Sequence, residues 1–227
     1  QALMMVLVAV LSSLFLTIAV KPGRLVPSRG QSVAELSYKF VADMIHSTTG
    51  SDGLEFFPFV FTLFMFILMM NLLGMFLTFT ATSQLAVTAT FGVLTFALVV
   101  IIGIAKNGLG FFGLFWPTSA PLVLRPVVGL IEFFSFLLRP VTLALRLFGN
   151  MLGGHIALKI FAGFVVSMGA VAMAGGVGLL GLPVAALSLG MVVGLTALEF
   201  LVAFLQAFVF AVLASIYLND VVNLGQI

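Results

Sequence analysis

The chain has no cysteine and very little charge: of its 227 residues 7% are Asp, Glu, Lys or Arg, against 63% hydrophobic. A soluble domain carries roughly 25% charged residues, so this composition cannot supply a water-facing surface. The lack of cysteine excludes disulfides and thiolate metal sites and leaves the redox compartment unread. A dispersed net charge of +2 excludes a nucleic-acid footprint. No internal repeat is visible, which argues against the inverted-repeat transporter folds. There is no GxSG serine, GxGD aspartate or HExxH zinc site, which argues against a lipid-embedded protease. No cofactor or metal is expected. With a mean hydropathy of +1.34, the chain treats lipid as its solvent, and residues 1–227 are expected to form a single, all-α membrane domain. The first residue is Gln1, not Met, and an N-terminal piece is expected to be missing or processed.

What charge there is lies unevenly, half of it between Lys21 and Glu55. A first apolar span is expected over residues 2–20, too long and too poor in basic residues for a signal peptide. Pro22, Gly23, Pro27 and Gly30 then break the chain. Ser32 with Glu35 offers a capping box, and Val33, Leu36, Phe40, Val41, Met44 and Ile45 follow at helical spacing. That pattern predicts an amphipathic helix over 31–48 lying on the membrane surface. Spans follow at 56–80, where Pro58 sits near the N-terminus at little cost, and at 85–105. The next loop holds the only tryptophan, Trp116, as an interfacial aromatic. Two long helices close the chain, 127–169 and 184–218, joined by a Gly-rich turn. The first is roughly 60 Å long at about 1.5 Å per residue, twice a hydrocarbon core, so the hairpin must tilt strongly. About five spans result, and the basic residues place the N-terminus outside and the C-terminus in the cytoplasm.

Glu132, Ser135, Arg139, Thr142, Arg146, Gly149, Asn150 and Gly153 share one face of the first long helix, while its flanks are Leu, Phe and Val. Close helix packing accounts for Gly149 and Gly153, which form a GxxxG. It does not account for Arg146. A charge at the bilayer centre costs at least about 2.5 kcal/mol, so it normally faces protein or water and carries function. Arg139 and Glu132 lie nearer the cytoplasmic end, where snorkelling and a mutual ion pair are equally open. The partner helix carries Glu199 and Gln206 on nearly one face. Folding the hairpin about its turn sets Arg146 opposite Gln206 and His155 opposite Glu199. A buried acid–imidazole pair can pass protons, or stand as a static ion pair. His155 lies about 180° around the helix from Arg146, so the two need not share a cavity. Lys159, one turn on, snorkels outward. A purely structural membrane subunit would need neither Arg146 nor Glu199.

The string Arg146-Leu-Phe-Gly-Asn-Met-Leu-Gly-Gly-His155 resembles the signature of subunit a of the rotary F-type ATP synthases, in its alpha-proteobacterial or mitochondrial form. So do Glu199 with Leu205-Gln206-Ala207-Phe208, Asn71 within Met70-Asn71-Leu72-Leu73-Gly74, and Glu132-Phe-Phe-Ser135. The resemblance covers roughly residues 20–222. It implies a non-catalytic stator subunit of a proton-translocating complex, with two offset half-channels against a rotating ring of c subunits. Arg146 would face the ring carboxylate; Asn150, His155, Glu199 and Gln206 would line the outer half-channel. Glu132 and Ser135 would lie near the cytoplasmic exit, and Asn71 near the outer channel, although a buried helix–helix hydrogen bond explains Asn71 equally well. Some family members carry Glu and His exchanged between the positions of His155 and Glu199. The implied partners are the c-ring, the peripheral-stalk b subunits and the other synthase subunits. The implied location is a bacterial inner membrane, with the mitochondrial inner membrane as the alternative.

Overall fold

The computed structural model describes residues 2–20, 29–76, 81–115, 124–173 and 181–222. Among them every regular element is helical. Six α-helices follow in order: α1 (Ala2–Val20), α2 (Arg29–Thr49), α3 (Phe57–Phe76), α4 (Leu85–Asn107), α5 (Arg125–Met173) and α6 (Gly181–Val222). Short 3-10 segments, Ser51–Phe56, Ala81–Ser83 and Gly108–Phe115, lead into or out of α3 and α4. Four stretches are long and apolar enough to cross a membrane, within Gly53–Met75, Leu85–Asn107, Arg125–Met173 and Gly181–Val222, and Met5–Ile18 is a shorter apolar one. The chain is an all-helical integral membrane protein. Pro22, Gly23, Pro27, Trp116 and the turn at residues 174–180 lie outside the described residues, whereas Gly30, expected to break the chain, lies within α2.

The core is built on the second half of α6. Ala203, Ala207, Ala211 and Ala214 recur at helical spacing and are all buried, with Phe210 among them and Leu218 and Val221 beyond. In lipid, apolar surface alone does not draw helices together; small side chains do, by letting neighbours approach. Here α3 and α4 both pack on that alanine face, while the first half of α6 leaves Leu182, Leu187, Val193 and Leu198 exposed.

The long helices extend beyond the residues their periodicity marks. At 49 and 42 residues, α5 and α6 run about 74 and 63 Å at about 1.5 Å per residue. Pro140 lies inside α5 without ending it. The ring is buried, and α4 presses against the backbone there: a Cβ on Gly92 would stand 2.7 Å from the Pro140 carbonyl oxygen. Only glycine allows that approach.

The N-terminal part differs from expectation in two details. Ser32 lies inside α2, which begins at Arg29, so no capping box forms; Glu35 instead accepts a hydrogen bond from Gln31 Nε2 at 2.8 Å. The apolar stripe of α2 is also divided. Val41, Met44 and Ile45 are buried in the core cluster, whereas Val33 and Leu36 are exposed. Phe40 stacks obliquely on Phe64, Phe204 and Phe208, and Thr49 hydrogen-bonds Ser215 at 2.9 Å, joining α2 to α3 and α6.

Candidate functional site

The polar residues of the closing hairpin sort into two environments. One face of α5 packs inward through Phe136, Pro140, Leu143, Ala144, Leu147 and Met151. The stripe bearing Ser135, Thr142, Arg146, Gly149, Asn150 and Gly153 is exposed. A Cβ built on Gly149 or Gly153 would meet nothing within 4 Å. The GxxxG therefore packs no helix among the described residues. Arg146, between these small residues, makes no hydrogen bond or ion pair among them either.

Toward α6 the arrangement is closed. His155 Nδ1 stands 3.5 Å from Glu199 Oε1, with side-chain exposures of 21% and 4%. This is an ion-pair distance without hydrogen-bond geometry. Gly154 makes room for the acid, because a Cβ there would lie 2.7 Å from Glu199 Oε1. One turn earlier, Asn150 Nδ2 donates to Gln206 Oε1 at 2.8 Å. A cavity of about 200 Å³, lined by Asn150, Gly154, Leu195, Leu198, Glu199 and Val202, joins the two levels. It has room for several water molecules. Both Glu199 oxygens, His155 Nε2 and Gln206 Nε2 are buried and lack hydrogen-bond partners among the described residues. Buried polar atoms are rarely left so, and their gathering on one interface marks it as built for something more than packing.

The expected facing of His155 and Glu199 is thus present. The expected facing of Arg146 and Gln206 is not: Gln206 takes Asn150 instead. Gln206 is buried and needs a neutral partner within α5–α6 contact, which an amide supplies. Arg146, one turn away, is exposed and makes no hydrogen bond or ion pair among the described residues.

Asn71, fully buried on α3, donates from Nδ2 to the Ala203 carbonyl oxygen of α6 at 3.2 Å. Ala203 lies about one turn from both Glu199 and Gln206, so this bond fixes α3 against the stretch of α6 that carries both. The helix–helix bond foreseen for Asn71 is there, and its Oδ1 has no partner among the described residues.

Glu132 and Ser135 lie apart from this group, about 20 Å along the axis from Arg146 in the case of Glu132. Ser135 is exposed and Glu132 half-exposed. Arg139 does approach Glu132, at 3.8 Å, but Asp220 Oδ2 is nearer, at 3.0 Å from Nη1. The guanidinium also lies over the rings of Tyr217 and Phe136, 4.7 and 5.5 Å from their centroids. Asp220, Tyr217 and Gly154 were not singled out from the sequence. Asp220 could have been, as the only charged residue after Glu199. Lys159 is exposed. Among the described residues no group of three or more His, Cys, Asp or Glu could hold a metal ion.

Comparison with known proteins shows the family. The family model described as ATP synthase A chain matches residues 2–219. The chain is 54% identical over 228 residues to "ATP synthase subunit a" of Rhodopseudomonas palustris, covering 100% of this chain and 88% of that protein. The same name belongs to a relative from Hyphomonas neptunium, 54% identical over 210 residues with coverages of 92% and 81%. A third, from Agrobacterium fabrum, is 53% identical over 226 residues with coverages of 99% and 88%. An exposed arginine on a small-residue stripe, backed by an acid–imidazole pair, is thus found in a chain that belongs to the ATP synthase subunit a family.

Proposed function

We propose that this chain is the proton-translocating stator subunit of an ATP synthase membrane sector, in a bacterial inner membrane. Its α5–α6 hairpin forms two offset half-channels against a rotating ring of c subunits, and b subunits of a peripheral stalk hold it in place. The observation that carries this reading is Arg146: exposed, without a hydrogen-bond or ion-pair partner among the described residues, and set among residues too small to cover it. A cation in an apolar helix needs an anion or water to face. A stripe that none of the described residues covers fits a neighbouring helix bearing a carboxylate.

A proton entering from outside reaches the cavity at Asn150 and Glu199, with Asn71 bracing the helix behind it. Glu199 and His155 exchange it, each having a buried polar atom free to hold water. The proton then neutralises the ring carboxylate, and the neutral site turns into lipid, which a charged one could enter only at high cost. After nearly a full turn the site releases its proton toward Glu132 and Ser135. Arg146 attracts the bare carboxylate and keeps the two paths from joining. Each charge crossing gains about 2.3 kcal/mol per 100 mV, so several are needed per ATP. This chain itself forms and breaks no covalent bond other than those to the proton in transit.

The test is Arg146→Ala in membranes carrying the whole complex. Loss of ATP-driven pumping with a passive proton leak is expected. Retained coupled pumping would overturn the reading.

A further inference from the structure

The exposed stripe of α5 carries two arginines seven residues apart, yet the fold treats them differently. Arg146 is left open. Arg139, on the same stripe, has only 17% of its side chain exposed. Its guanidinium is drawn sideways onto α6, where Asp220 takes it at 3.0 Å and the Tyr217 ring lies beneath it at 4.7 Å. Glu132, on the same helix, stays 3.8 Å away and is the most exposed of the three charged partners, at 38%.

We infer that Asp220 is a positioning residue for proton passage: by holding Arg139 against Tyr217 it keeps that guanidinium off the open face of α5 and limits its pairing with Glu132 to a loose 3.8 Å contact. The inference rests on the proposed roles of Arg146 and Glu132. An arginine freed at this position has two destinations within its reach. It can tighten the existing 3.8 Å ion pair with Glu132 into direct hydrogen-bond contact and hold that acid ionised, so that it no longer exchanges protons. It can also swing outward along the stripe, about 10 Å from Arg146, and offer a passing carboxylate a second cation to bind. Either outcome impedes release of protons at this end. With Asp220 in place, Arg146 is the one cation on the stripe without an anionic partner among the described residues.

A bridge that only braced the hairpin would behave differently, and this makes the inference testable. In membranes with the whole complex, Asp220→Asn leaves Arg139 charged and unanchored; removing that charge as well, in Asp220→Asn with Arg139→Gln, removes the obstruction without restoring the bridge. Proton flux per assembled complex should fall by about tenfold or more in the single variant. In the double variant it should return to within about twofold of the parent. Unchanged flux in Asp220→Asn, or a double variant no better than the single, overturns the inference. If neither variant assembles, the contact is structural and the inference also falls. If only the double assembles and pumps, the charge of Arg139 is the harmful element and the inference stands. Arg146→Ala measured alongside separates this outcome from the parent reading, since retained coupled pumping there refutes the proposed function whatever Asp220 does.

Discussion

Asn150 reaches across the hairpin to Gln206 at 2.8 Å, while Arg146, one turn earlier on the same helix, makes no hydrogen bond or ion pair among the described residues. The two neighbours thus serve different partners. The amide closes the helix pair, and the guanidinium remains for whatever lies outside it.

Asn150→Leu would strand the Gln206 amide in the interface. Leaving a buried polar group unsatisfied costs about 1–3 kcal/mol, so the melting temperature of the membrane sector should fall. Adding Gln206→Leu should recover part of that loss. A double-mutant cycle on thermal unfolding checks it, with strictly additive effects as the contrary result.

Gly154→Ala places a methyl group where Glu199 Oε1 now stands 2.7 Å away. The acid is the end of a flexible side chain and can yield, so stability should change little. Its distance from His155 would not survive. Slower proton entry at an unaltered melting temperature is expected, measured as coupled pumping in reconstituted vesicles.

Gly92→Val makes the opposite comparison. Its added carbon would meet the Pro140 carbonyl oxygen at 2.7 Å, and backbone cannot step aside cheaply. Overpacking of this kind costs about 1–3 kcal/mol. Here the melting temperature should drop, and a silent substitution would mean that α4 and α5 are not so closely pressed.

Gly149→Leu adds bulk to a face with nothing within 4 Å. The isolated subunit should fold as before, aided by a helix-propensity gain of up to about 1 kcal/mol. Association with the ring should fail, visible as loss of co-purification. Normal assembly would place the ring on some other surface.

The sequence showed the apolar helices and the antiparallel match of His155 with Glu199, because helical periodicity and an intervening turn fix depth to within about one turn. That same tolerance is why Gln206 was matched to Arg146. Depth alone cannot choose between residues four apart on one helix; chemistry and side-chain direction do. Asp220 escaped notice because its significance is relational. It becomes visible only when α6 returns beside Arg139, 81 residues earlier in the chain. Gly154 was hidden in a run of two glycines whose roles differ entirely: Gly153 looks outward at nothing, Gly154 inward at Glu199. The absence of a capping box at Ser32 turns on where α2 begins, and helix ends are the least legible feature of any sequence.

The alanines of α6 set different terms for change along a single helix. In its first half, Leu182, Leu187 and Val193 contact no core, and exchange among Leu, Val, Ile and Met there costs little beyond propensity. In the second half, any side chain larger than alanine at positions 203, 207, 211 or 214 would drive α3 or α4 outward and carry Asn71 away from Ala203. Drift is therefore cheap at one end of the helix and nearly forbidden at the other, with Glu199 standing at the border between them.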